Sequence, residues 1–171
     1  MNVGRCLQRP FATNFLSFYR MRIYLDNCCF NRPYDDQTQE KIHLESEAIL
    51  AIIKKGEQLN FEFIGSSALD LEISQIPDNY KREKVKFFYE QTITTKAKYN
   101  QAILKRAKEL QELSAIRMLD RFHLAFAENY SDILLTTDLR FEKACSKLNL
   151  KIKVMNPMNY FMEVLANDDS N

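Results

Sequence analysis

Short β-prone runs alternate with stretches of helical spacing along this 171-residue chain, and that alternation constrains the fold more than any other feature. Arg22-Ile23-Tyr24-Leu25, Phe61-Glu62-Phe63-Ile64, Ile133-Leu134-Leu135-Thr136-Thr137 and residues 150–154 read as strands. Between them, Ile42, Ile49, Ile52 and Ile53 fall at helical spacing over residues 38–55, with Gly56 as the expected stop. Ser66-Ser67 opens a further helix, residues 79–113 read as a long polar helical region, and residues 114–129 carry Ala115, Leu119, Phe122 and Phe126 on one face. A helix follows over residues 139–148, and a short one starts at Pro157. Strands joined through helices pair in parallel by right-handed crossovers, with helices on both faces. The expected architecture is a three-layer α/β/α fold with a central parallel sheet.

Composition narrows the class. A hydrophobic fraction of 46% in a chain of this length supports one core, so residues 21–165 read as a single domain. Residues 1–20 carry Arg5, Arg9 and Arg20 without an acid and read as a weakly ordered extension; residues 166–171 read as a frayed tail. The longest apolar run is Ala48-Ile49-Leu50-Ala51-Ile52-Ile53, far short of the ~20 residues that span a bilayer. Three glycines leave no glycine-rich phosphate loop. Cys6, Cys28, Cys29 and Cys145 form no C-x-x-C pair, which suits a reducing, cytoplasmic setting.

Two of the strands end in aspartate, at Asp26 and Asp138. In open α/β sheets the working crevice lies outside the carboxyl ends of the strands. Carboxylates converging there repel each other, and a divalent cation removes the conflict. Asp120 interrupts the apolar side of its helix, and Glu72 sits among Leu69, Leu71 and Ile73. Four carboxylates without a cysteine–histidine cluster describe a hard-ion site for Mg²⁺ or Mn²⁺, suited to metal-assisted hydrolysis of phosphate esters. Simpler roles compete for the same residues. Asp138 also suits a helix N-cap, Asp120 an ion pair with Arg117 or Arg121, and His123 a satisfied histidine beside the helix core. His43 and Glu47 suit a solvated helix pair, and Cys28 and Cys29 core packing.

Four ordered segments, Tyr24-Leu25-Asp26-Asn27, Ser66-Ser67-Ala68-Leu69-Asp70-Leu71-Glu72, Leu119-Asp120-Arg121-Phe122-His123-Leu124-Ala125 and Leu135-Thr136-Thr137-Asp138-Leu139-Arg140-Phe141, resemble the motifs of PIN domains. These are metal-dependent ribonucleases, many of them VapC-type toxins of toxin–antitoxin pairs. The resemblance implies that Asp26, Glu72, Asp120 and Asp138 are both the catalytic residues and the metal ligands, with Asn27, Thr136 and Thr137 in support. It implies cleavage of single-stranded RNA with Mg²⁺ or Mn²⁺, leaving a 5′-phosphate and a 3′-hydroxyl, and an antitoxin protein or a second copy of the chain as partners. Cys28-Cys29-Phe30-Asn31-Arg32-Pro33 departs from the family's usual continuation.

The net charge of +1 names no partner, but residues 81–121 hold eleven Lys and Arg against five Asp and Glu. A basic stretch of this kind attracts a phosphate backbone. Tyr80 beside it and Phe87, Phe88, Tyr89 and Tyr99 within it offer stacking surfaces for bases, although such aromatics are more often a helical core stripe. The sequence-based expectation is therefore a metal-dependent endoribonuclease. The alternative is a catalytically inactive RNA- or protein-binding module of the same fold.

Overall fold

The computed structural model of the protein describes residues 20–165; the expected terminal tail, and all but Arg20 of the expected extension, lie outside them. Five strands, β1 (Arg22–Leu25), β2 (Glu62–Gly65), β3 (Thr95–Lys96), β4 (Ile133–Leu135) and β5 (Lys153–Met155), form one sheet in the order β3-β2-β1-β4-β5, every pair parallel. Eight α-helices connect and cover it: α1 (Asn27–Asn31), α2 (Glu40–Leu59), α3 (Ser67–Ser74), α4 (Asn79–Thr92), α5 (Gln101–Leu113), α6 (Met118–Tyr130), α7 (Leu139–Cys145) and α8 (Pro157–Tyr160). The result is the three-layer α/β/α fold that the alternation predicts. Among the described residues, no helix is long and apolar enough to cross a membrane.

The central strands are buried on both faces, as parallel strands between helical layers must be: Ile23, Tyr24, Leu25, Leu134 and Leu135 have no exposed surface. Helix α6 lays Leu124, Ala125, Phe126 and Ala127 into the core against β1 and β4, and α5 packs beside it through Ile103, Ala107 and Leu110. Helix α2 contributes Ile49 and Ile52 and meets α8. The chain runs outward from β1 to β2 and β3, then returns to the opposite side of β1 for β4 and β5. That reversal opens a crevice at the carboxyl ends of β1 and β4. Pairing of Leu25 with Leu135 brings Asp26 alongside Thr136 there.

Three local expectations are corrected. Gly56 does not stop α2. The helix continues to Leu59 and ends at Asn60, which takes the left-handed conformation (φ 59°) and returns its N–H to the Gly56 carbonyl. Gly56 is instead a close-approach residue, since a Cβ there would stand 2.7 Å from the ring of Phe63 on β2. Gly56→Ala should therefore destabilise the protein, the overpacking cost of about 1–3 kcal/mol outweighing the gain in helix propensity; urea denaturation measures it. The polar region 79–113 is not one helical stretch, because β3 divides it. Both residues of β3 are exposed, and two edge residues carry no readable alternation. Finally, residues 114–117 precede α6 rather than belonging to it, so that Ala115 is exposed and His123 to Glu128 form the buried stretch.

Candidate metal centre

Asp26 follows the last residue of β1, and its N–H still donates to the Leu135 carbonyl at 2.9 Å. Its carboxylate caps α1, Oδ1 accepting from Asn27 N at 2.8 Å, while Oδ2 accepts from Thr136 Oγ1 at 2.7 Å. Asp138 caps α7 through Oδ1, which accepts from Arg140 N and Phe141 N at 2.8 and 3.1 Å. Each strand-end aspartate thus orients one oxygen by capping a helix. Thr136 Oγ1 also accepts from Asp138 N at 3.1 Å, so one fully buried hydroxyl ties the two strand ends together.

Glu72 arrives on α3, which Ser66 caps by accepting from Leu69 N. Asp120 stands in the first turn of α6. All four carboxylates line one cavity of about 310 Å³ at the strand ends, together with Asn27, Cys28 and Arg117. Neighbouring acids turn elsewhere: Asp70 pairs with Lys96 at 2.7 Å, and Glu45 pairs with Arg32 at 2.9 Å. Of the two arginines weighed for Asp120, Arg117 makes the contact, Nε donating to Oδ2 at 3.0 Å; its Nη2 reaches Asp138 Oδ2 at 3.2 Å.

A buried chain of hydrogen bonds holds Glu72. Ser66 Oγ lies 2.7 Å from the Tyr24 hydroxyl, that hydroxyl lies 2.8 Å from His123 Nδ1, and His123 Nε2 lies 2.9 Å from Glu72 Oε2. Tyr24 sits two residues before Asp26 on β1, and His123 three after Asp120 on α6. The chain therefore pins α3 to the two elements that carry Asp26 and Asp120. The donor atoms of Asp26, Glu72 and His123 lie within 4.8 Å of one another, as a metal triad would. With both ring nitrogens engaged, His123 acts as the residue that holds Glu72 in place. Burial opposes its charged form, but the bond to Glu72 and the charges of Asp26 and Asp120 outweigh that, and its pKa is raised.

Sequence reasoning missed this chain, because residues 24, 66 and 123 come together only through the sheet. Cys28 is partly buried and packs against the core, as expected, and its Sγ also lies 3.2 Å from both Asp26 Oδ2 and Thr136 Oγ1 at the cavity wall. Cys29 is the buried packing residue. Thr137 is set apart from the acids: its hydroxyl accepts from Arg32 Nη2 at 2.8 Å. His43 and Glu47 are exposed on α2. The aromatic residues of the basic stretch divide, with Tyr80, Phe87 and Tyr99 exposed and Tyr89 buried.

The donor set fits a hard divalent cation. Its donors are carboxylate oxygens from four separate elements facing one cavity, with hydroxyls in support and no soft-ligand cluster. The repulsion such convergence creates is visible at Asp120: burial raises its pKa, Arg117 lowers it, and the Asp26 charge raises it again. A proton and a cation compete for that carboxylate. With the pKa raised, Asp120 takes up its proton while an ordinary aspartate is still ionised. Mn²⁺ affinity should accordingly begin to fall, on acidification, above the usual aspartate range, and Asp120→Asn should remove that part of the pH dependence; titrations across pH 4–7 measure both.

No family model and no curated protein matches the sequence. Among solved structures, the fold is similar to VapBC2 from Rickettsia felis, bound to a DNA fragment from their promoter, with a TM-score of 0.52 and 14% identity over 80% of this chain and 98% of that one. It is also similar to FitAcB from Neisseria gonorrhoeae, with a TM-score of 0.50 and 14% identity over 79% and 97%. These findings correct the PIN-domain membership implied by the four motifs. At 14% identity the two matched structures show the fold alone. The physical reason is that short acid-bearing segments at strand ends and helix starts are ones that any parallel α/β sheet can carry. They define a site geometry without defining a lineage.

Proposed function

We propose that this chain is a Mg²⁺- or Mn²⁺-dependent endoribonuclease that hydrolyses single-stranded RNA. The observation that carries the reading is the convergence of Asp26, Glu72, Asp120 and Asp138 on one cavity at the switch point of the sheet. Those four residues would hold the ion, which when bound activates water and neutralises charge on the phosphoryl oxygens. Thr136 keeps the two strand-end acids in register, and the Ser66–Tyr24–His123 chain fixes Glu72. The excess of lysine and arginine over residues 81–121 supports an RNA backbone as the polyanion, and Lys81 reaches the cavity, bonded to Asp35 at 2.6 Å. Likeness to VapBC2 and FitAcB supports a protein partner, as in a toxin–antitoxin pair.

A second reading, an RNA- or protein-binding module without catalysis, draws on one observation: Arg117 already pairs with two of the four acids and offsets part of their charge. Incubating the purified protein with mixed single-stranded RNA and Mn²⁺, with and without EDTA, separates the two. Cleavage to 5′-phosphate ends that EDTA abolishes is the expected result. RNA bound but left intact under every metal condition favours the binding module and ends the nuclease reading.

A further inference from the structure

Among the described residues, Arg117 is the cation paired with two of the four cavity carboxylates. It occupies the N-cap position of α6, where a short polar side chain would ordinarily accept backbone N–H bonds, and it makes no capping bond. Its guanidinium instead spans the cavity mouth, Nε on Asp120 and Nη2 on Asp138, although 76% of the side chain is exposed. Both contacts go to Oδ2. For Asp138 this is the oxygen that helix capping leaves free, and it is therefore the one a cation would use.

The surroundings give this ion pair its meaning. Arg117 bridges two carboxylates from different elements, α6 and the start of α7, which would otherwise face each other across the cavity. Arg32, mostly covered and held by Glu45, Asp35 and Thr137, is locked by several partners. Arg117 is held by these two carboxylates at the surface. Exposed ion pairs contribute little and exchange readily, so this bridge keeps the acids apart from each other's repulsion without closing the site permanently.

We infer that Arg117 is a displaceable internal counter-ion: it competes with the divalent cation for Asp120 and Asp138, and metal binding releases it at the cavity rim. The inference rests on the proposal that the four carboxylates hold a divalent cation, and it adds a regulatory contact to that site. Once released, the guanidinium stands where the phosphate backbone of a single-stranded RNA would approach the acids. A bidentate guanidinium–phosphate contact is the favoured use of an arginine so placed. The same side chain thus offsets part of the acids' charge before the ion binds and recognises the polyanion afterwards.

The test is direct binding of Mn²⁺, followed by electron paramagnetic resonance of the free ion, for the wild-type chain and for Arg117→Gln, Arg140→Gln and Asp26→Asn. Arg140 lines the adjoining cavity and removes the same charge without contacting the acids through its side chain. Removing a competitor should tighten Mn²⁺ binding in Arg117→Gln by about fivefold, the scale of one exposed ion pair, and clearly more than in Arg140→Gln. Equal effects in the two arginine variants would reduce Arg117 to a bystander charge, and weaker binding in Arg117→Gln would make it a residue that organises the acids; either result overturns the inference. If neither the wild type nor Arg117→Gln binds Mn²⁺ better than Asp26→Asn, the metal reading itself fails and this inference with it. A second measurement reads the released state. In Mn²⁺, with a single-stranded RNA made of non-hydrolysable linkages, Arg117→Gln should bind more weakly than the wild-type chain, and unchanged affinity would contradict the role at the rim.

Discussion

Asp26→Asn should yield a folded protein whose metal-dependent RNA cleavage is lower by on the order of 10³-fold or more, because the bound ion is asked to supply several kcal/mol of transition-state stabilisation. The structure explains why the fold survives. Asparagine is as good an N-cap as aspartate and can still accept from Asn27 N. Its amide can donate to Thr136 Oγ1 where the carboxylate now accepts. Replacing one of several converging carboxylates also removes like-charge repulsion, so unfolding free energy should stay constant or rise. A variant that keeps wild-type cleavage would show that Asp26 does nothing beyond capping α1. Loss of cleavage accompanied by loss of the folded circular dichroism signal would make Asp26 a structural residue.

The largest stability effect is expected at Glu45, a residue remote from the chemistry in function but not in architecture. Its side chain has no exposed surface, yet Arg32 Nε meets its Oε2 at 2.9 Å and Asn156 Nδ2 donates to its Oε1 at 3.0 Å. Arg32 goes on to Thr137 at the end of β4 and to Asp35 on the cavity wall. One buried carboxylate therefore fastens α2 to both the strand end and the loop that flank the acids. Glu45→Ala leaves the guanidinium with an unfilled partner site and Asn156 with an unpaired donor, which should cost about 3–5 kcal/mol. Retention of Asp35 by Arg32 places the expected value in the lower part of that range. Chemical denaturation measures it, and a loss below about 1 kcal/mol would mean that Arg32 finds equivalent partners elsewhere.

The parallel sheet was legible, though not its strand order, because the central strands are short, wholly apolar and separated by helix-length segments; Ile23-Tyr24-Leu25 and Ile133-Leu134-Leu135 admit little else. The strand-end acids were legible for the same reason, since an aspartate directly after such a run lies at a crevice. Helix boundaries were less so. Gly56 reads as a stop in one dimension and is a packing contact with Phe63 in three. The strand at Thr95–Lys96 is held by backbone bonds to β2 and by none of its own side-chain pattern. At the site, pairwise geometry was the hidden part. Nothing in the sequence distinguishes Glu72 from Asp70, which differ in facing the cavity or Lys96. Nothing in it joins Ser66, Tyr24 and His123, whose contact depends on β1, α3 and α6 meeting. Family membership was the expectation that did not hold, because the motifs that suggested it describe the acids and little of the surrounding chain.

The claim on which the rest depends is that four side chains from four elements share one cation. Anomalous diffraction from crystals soaked in Mn²⁺ tests it without reference to any substrate. The account predicts a single strong peak inside the cavity, within coordination distance of Asp26 and of at least two among Glu72, Asp120 and Asp138, with the Arg117 guanidinium moved off Asp120 and Asp138. Saturating Mn²⁺ that leaves this cavity without a peak, the guanidinium still bridging the two aspartates, would contradict it.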